Sequence, residues 1–124
     1  MIDFKNASFM KLKPVPDSDF SSMIQPMFVA GEEIIQSFRG IRDGVVFTNK
    51  RIFAINVQGI TGKKKDFTSL PYSKIQAFSV ETAGMIDLDS ELELWFSGLG
   101  LAKFEFVSNA DVSGICRMIS EKVL

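Results

Sequence analysis

Between residues 32 and 107 the apolar positions of this chain recur mainly at every second residue, the period of strands with one face buried. Segments of this kind predict strands near Glu33–Arg39, Gly44–Thr48, Arg51–Val57, Lys65–Leu70, Ile75–Thr82, Ser90–Phe96 and Lys103–Val107. Gly40, Asn49, Gly59 and Gly62, Pro71, Gly84, Gly98 and Gly100 punctuate them. Val45–Phe47 and Ile52–Ile55 flank the polar break Thr48-Asn49-Lys50-Arg51, which reads as a tight hairpin with Asn49 taking a positive φ at the turn. Closely spaced strands with glycine at the breaks predict a small antiparallel barrel or sandwich.

The two ends follow other rules. Ile2, Phe4, Phe9, Met10 and Leu12 alternate loosely with lysines, consistent with an arm or an extra strand. Pro14 and Pro16 break it, since proline fixes φ and removes a donor. Asp17 or Ser18 is then placed to cap a short helix carrying Phe20, Met23, Ile24 and Met27, with Pro26 keeping it short. At the other end Val112, Ile115, Cys116, Ile119 and Val123 fall at helical spacing after Ser108-Asn109-Ala110-Asp111, which has the spacing of a capping box. One amphipathic helix is a suitable plug for the open end of a curled sheet. The organisation expected is one domain overall, with an arm and short helix over 1–30 and a β domain over 31–124.

Composition narrows the function. With 124 residues and 46% hydrophobic content the chain has enough core to need no covalent staple, and its 12 Phe supply rings with no polar atom to satisfy. The net charge of −1 offers no general field for nucleic acid. There is one cysteine and no histidine. An intrachain disulfide is therefore impossible, and the commonest general base and metal ligand is missing. Cys116 sits on the apolar stripe, where a thiol acts as a small inert hydrophobe. Gly59 and Gly62 before Lys63-Lys64 resemble a phosphate loop only superficially, because no helix follows them. No catalytic constellation and no cofactor site is expected. No apolar run is long enough to span a bilayer and the first residues lack a secretory pattern, so a cytoplasmic location is expected.

Three features remain as candidate interaction residues. Asp87, Asp89, Glu91 and Glu93 alternate with apolar residues, so on a strand they share one face. They fit either a divalent-cation site or a solvated face whose like charges discourage stray pairing. Lys63, Lys64 and Lys65 form the only dense basic run, a solvated loop or a weak anchor for anionic lipid. Tyr72 and Trp95 combine an apolar body with a polar tip and fit either a core or an interface.

The motifs RD (Arg42, Asp43), FTNKRI (Phe47–Ile52), QGITGKK (Gln58–Lys64), PYSKI (Pro71–Ile75), FSVETAG (Phe78–Gly84) and DLDSELELW (Asp87–Trp95) occur in one order. In that order the chain resembles the bacterial pleckstrin-homology (PH)-like domain family. The resemblance implies a mainly β fold, a PH-like barrel or orthogonal sandwich of about seven antiparallel strands capped by a C-terminal α-helix, here with a short N-terminal helical extension. It also implies self-association into homo-oligomeric rings and no enzymatic activity. The eukaryotic phosphoinositide signature of basic residues on the first hairpin is reduced to Arg39 and Arg42, with Asp43 offsetting part of their charge. A non-catalytic binding or assembly module with itself as partner is thus the expected function. Its alternative is a peripheral module that meets an anionic lipid surface, or a protein partner, through the basic loop.

Overall fold

Apolar alternation needs a sheet with something to bury against, and the chain supplies both. The computed structural model describes residues 1–82, 89–107 and 109–124. Among the described residues there are eight strands: β1 (Ala7–Val15), β2 (Ile34–Arg39), β3 (Gly44–Thr48), β4 (Arg51–Gln58), β5 (Lys64–Pro71), β6 (Ile75–Thr82), β7 (Ser90–Phe96) and β8 (Gly100–Phe106). Between β1 and β2 lie a 3₁₀ turn at Asp17–Asp19, the short helix α1 (Ser21–Ile24) and a second 3₁₀ turn at Gln25–Met27. Helix α2 (Val112–Val123) closes the chain. The sheet order is β5-β4-β3-β2-β1-β8-β7-β6.

The expected seven strands are all present, and the N-terminal segment adds the eighth. β1 pairs antiparallel with β2 through Lys13–Val15 and parallel with β8 through Ala7–Leu12. Its register shifts between Phe9 and Leu12, where Lys11 takes a φ of 54°. A non-glycine residue in that region costs about 1 kcal/mol, and here it bends one strand into two sheet halves. The final strand begins at Gly100, three residues before the expected Lys103, because Ser97–Leu99 turn at Gly98 and pairing with β7 resumes at once.

Inside the curl sits one apolar cluster. Leu92, Leu94 and Phe96 from β7 meet Ala102, Phe104 and Phe106 from β8, Val45 and Phe47 from β3, and Ile115 and Ile119 from α2. The alternation expected for β7 is exact at these residues, with Glu91, Glu93 and Trp95 on the other face. A second cluster explains why β3 is buried at every position. Phe20 and Ile24, carried by the N-terminal helical segment, cover Val46, Phe53 and Ile55 on the outer face. Gly44 is required beneath them, since a Cβ there would stand 2.4 Å from the Phe20 ring.

Capping differs from the sequence reading at both helices. Asp17 does not cap α1; its carboxylate accepts from Ser37 Oγ at 3.0 Å and ties the segment to β2. At α2 the cap is Asp111 itself, which accepts from Gly114 N–H at 3.0 Å, rather than Ser108, which lies outside the described residues. Of the expected α2 stripe, Val112, Ile115 and Ile119 are buried, and Cys116 and Val123 pack against them half-buried. Residues 2–4 cross the open side of the curl. Phe4 meets Phe96 edge-on at 5.8 Å, while Ile2 is buried and donates its N–H to Thr68 Oγ1 on β5 at 2.9 Å.

Candidate interaction surfaces

The FTNKRI block forms the expected tight hairpin between β3 and β4, with Phe47 paired to Ile52, and it is also a clamp. Asn49 does not adopt positive φ; among the described residues Lys11 is the one non-glycine residue that does. Asn49 uses its side chain instead, accepting from Glu33 N–H at 2.8 Å and donating to Gly31 O at 2.9 Å. Arg51 donates from Nε and Nη2 to the two oxygens of Glu32, at 2.9 and 2.7 Å, in a forked pair. Thr48 Oγ1 and Val29 N–H complete the carboxylate's partners. Arg51 also donates to Met27 O and lies over the Phe53 ring. The Arg51 guanidinium holds the Glu32 carboxyl at about 2, well below its ordinary 4.5, against the opposing effect of burial. This network fastens residues 27–33 to the β3–β4 hairpin. It is structural chemistry, with every acceptor occupied.

Tyr72 joins the same region from inside. Its hydroxyl donates to Thr48 O at 2.7 Å, and burial raises its pKa well above the ordinary value. Tyr72 is therefore a core residue, and the reading of it as an exposed anchor does not apply to this chain. Trp95 takes the other option and is 44% exposed on the outer face of β7.

The acidic row is on the surface and is wider than its strand. Glu91 and Glu93 point outward from β7, Asp89 is exposed just before it, and Asp87 lies outside the described residues. Register places Glu81 of β6 and Glu105 of β8 on either side of Glu91, and Lys103 beside Glu93. One carboxylate oxygen from each of Glu81, Glu91 and Glu93 lies within 4.8 Å of the others. Glu91 holds its proton to higher pH than an ordinary glutamate. The first cause is a hydrogen bond shared with Glu93 and the second is burial; the charge of Lys103 opposes them, and those of Glu93 and Glu81 add smaller upward contributions. Glu81 and Glu105 were invisible as members of this face, because only long-range strand pairing brings them there.

The basic run sits at the other end of the strand order. Lys63 is in the β4–β5 loop and Lys64 and Lys65 open β5, all three exposed. Gly59 and Gly62 turn the loop at φ of 78° and 67°, values open to glycine. Arg42 Nη2 donates to Gly59 O at 2.7 Å and ties this loop to the β2–β3 turn. Each loop also presents an isoleucine to solvent, Ile41 at 80% and Ile60 at 104% relative exposure. Single exposed isoleucines carry no sequence signal, so this pair went unread. Cys116 has its thiol pKa pushed up by burial, in keeping with a packing role.

The bacterial PH domain family model matches residues 3–123. The chain belongs to the bacterial PH domain family. Among relatives of this PH domain, the uncharacterized protein YjqA of Bacillus subtilis (strain 168) is 52% identical over 75 residues, a match spanning 60% of each chain. The uncharacterized protein YozO of the same organism is 30% identical over 112 residues, 90% of this chain and 96% of that one. Among solved structures, a DUF1696-family protein with a pleckstrin-homology domain from Shewanella loihica PV-4 is 39% identical with a TM-score of 0.80, covering 93% of this chain and 99% of that one. A pleckstrin-homology domain from Shewanella amazonensis SB2B is also 39% identical, with a TM-score of 0.66 and coverage of 89% and 90%. The mainly β, helix-capped PH-like fold expected of the bacterial PH domain is the fold of this chain. Among the described residues no helix is long and apolar enough to cross a membrane.

Proposed function

We propose that this PH domain is a non-catalytic cytoplasmic binding and assembly module whose copies associate with one another. The observation that carries the reading is the separation of charge. Lys63–Lys65 lie in the β4–β5 loop and at the start of β5, and the Glu81–Glu91–Glu93 face lies on the β6 side at the far end of the strand order. Among the described residues neither patch enters an ion pair. A basic patch of one copy meeting an acidic patch of the next is a heterologous contact, and such contacts close into rings when the rotation permits. Light scattering after size exclusion, over a dilution series, is expected to give a multiple of the 13.8 kDa chain mass. Replacing Lys63, Lys64 and Lys65 by Glu is expected to lower that mass toward a single chain. A wild-type monomer at all concentrations would end this reading.

A second reading has its own observation, the two exposed isoleucines beside the lysines. Each lysine near an anionic leaflet contributes about 1 kcal/mol. Inserting Ile41 and Ile60 into the interface supplies the second anchor that lysines alone lack. The module is then expected to pellet with phosphatidylserine-containing vesicles at low salt. Pelleting should weaken at high salt and in Ile60→Asp, and should not occur on purely zwitterionic vesicles. Salt-insensitive behaviour, or no pelleting at all, would reject it.

A further inference from the structure

The two ends of the sheet are treated very differently by the sequence. An edge strand offers a row of unpaired N–H and C=O groups, and chains ordinarily blunt such rows with lysine, proline or covering segments. β5 is blunted in these ways. It opens on Lys64 and Lys65, ends on Pro71, and takes the Ile2 N–H on Thr68 and the Met1 ammonium on Asp66. β6 (Ile75–Thr82) carries neither lysine nor proline, and α2 packs near it on the inner side. The strand also lacks glycine, its one charge is Glu81, and among the described residues nothing pairs with its outer edge.

Register defines what a strand added there would meet. Phe78 and Val80 stand opposite the buried Leu94 and Leu92, so they face inward, on the side capped by α2. Phe78 is half-buried against the core and Val80 remains 39% exposed, leaving apolar surface at the edge. Ala77, Ser79 and Glu81 stand opposite Trp95, Glu93 and Glu91 and so face outward. There Ala77 and Ser79 border a shallow depression of about 230 Å³ whose lining is completed by Phe78, Glu93, Trp95 and Leu101. Because Ala77 is small, a long cationic side chain from an added strand can cross it to the Trp95 ring and the Glu93 carboxylate.

We propose that the outer edge of β6 is a docking strand for an extended segment of another polypeptide whose residues alternate between apolar and basic. Main-chain hydrogen bonds supply the pairing, the Phe78–Val80 side takes the apolar residues, and the Glu81–Glu93–Trp95 side takes the cations. A second copy of β6 fits this edge poorly. Antiparallel self-pairing would extend one outer face carrying Glu81, Glu91 and Glu93 from both chains, and like charges on one face repel.

The test uses the full chain and a fluorescein-labelled peptide of about eight residues alternating lysine and valine, the length of β6. Saturable binding by anisotropy is expected, with slowed amide exchange at residues 75–82. Glu81→Lys and Val80→Lys, both surface changes, are each expected to weaken binding by ~10-fold or more, whereas Lys64→Glu on the opposite edge should change it by less than ~2-fold. The inference does not depend on self-association: the Lys63–Lys65→Glu variant should still bind the peptide whatever its oligomer mass. No saturable binding would overturn the proposal, as would equal binding of a glutamate–valine peptide. Affinity unchanged in both β6 variants, or protection appearing on β5, would do the same. A wild-type oligomer that dissociates in Val80→Lys would assign the edge to a second copy instead and equally reject the heterologous partner.

Discussion

Replacing Arg51 by Ala is expected to cost about 3–5 kcal/mol, because it strands the Glu32 carboxylate without its forked partner in a buried site. Against a total stability of about 5–15 kcal/mol, that loss brings the domain close to unfolding. Denaturant titration followed through Trp95 fluorescence would measure it. The penalty comes from the orphaned charge more than from the pair's net worth. The double variant Glu32→Leu/Arg51→Met should therefore recover much of it. The pH dependence gives a second handle. Glu32 titrates at about 2 in the fold against an ordinary 4.5, so its stabilising contribution is complete above pH 4.5 and is lost as pH falls toward 2. The difference amounts to about 3 kcal/mol. Stability of Arg51→Ala should show a much shallower slope across that window. Equal slopes in the two proteins would mean that the pair is not what holds the carboxylate ionised.

Phe47→Ala is expected to do comparable damage by a different route. The ring is fully buried and touches Phe38 at 5.9 Å, Phe104 at 6.3 Å and Phe106 at 6.4 Å, so it joins β3 of one sheet half to β8 of the other. Truncating a buried phenylalanine costs about 3–5 kcal/mol through lost transfer energy and a residual cavity. Four rings packed together, three of their contacts edge-on, leave little freedom for neighbours to collapse into the hole. Phe47→Leu should recover most of the loss. A thermal melt showing Phe47→Ala within a degree or two of wild type would mean that the two halves do not depend on this contact.

Much of this architecture was written in local periodicity. Leu92, Leu94 and Phe96 alternate with Glu91, Glu93 and Trp95, and that rhythm suffices to predict both the strand and its faces. Ile115 and Ile119 do the same at helical spacing. Local periodicity is silent where the deciding partner is distant in sequence. Phe9 and Leu12 share the inward face only because the bend at Lys11 inserts an extra residue, so the period of β1 looked broken. Asn49 resembled a turn residue, yet it serves Gly31 and Glu33, eighteen and sixteen residues upstream. Tyr72 looked free to be exposed because its hydroxyl's partner, Thr48 O, belongs to another strand. The acidic face was half visible: Glu91 and Glu93 came from alternation, while Glu81 and Glu105 needed the β6–β7–β8 register.

The parallel pairing of β1 with β8 bears on how the chain is made. Ala7 leaves the ribosome long before its partner Ala102, which lies on the last strand of the sheet to be made. Until then β1 can pair only through its Lys13–Val15 end with β2, and the rings of Phe9 and Phe104, stacked at 5.2 Å in the finished sheet, are apart. Until β8 emerges, a nascent chain therefore holds an incomplete, apolar half-sheet, the state in which unpaired strands are most exposed to wrong partners. Emergence of β8 is therefore the event that lets the two halves of the sheet join.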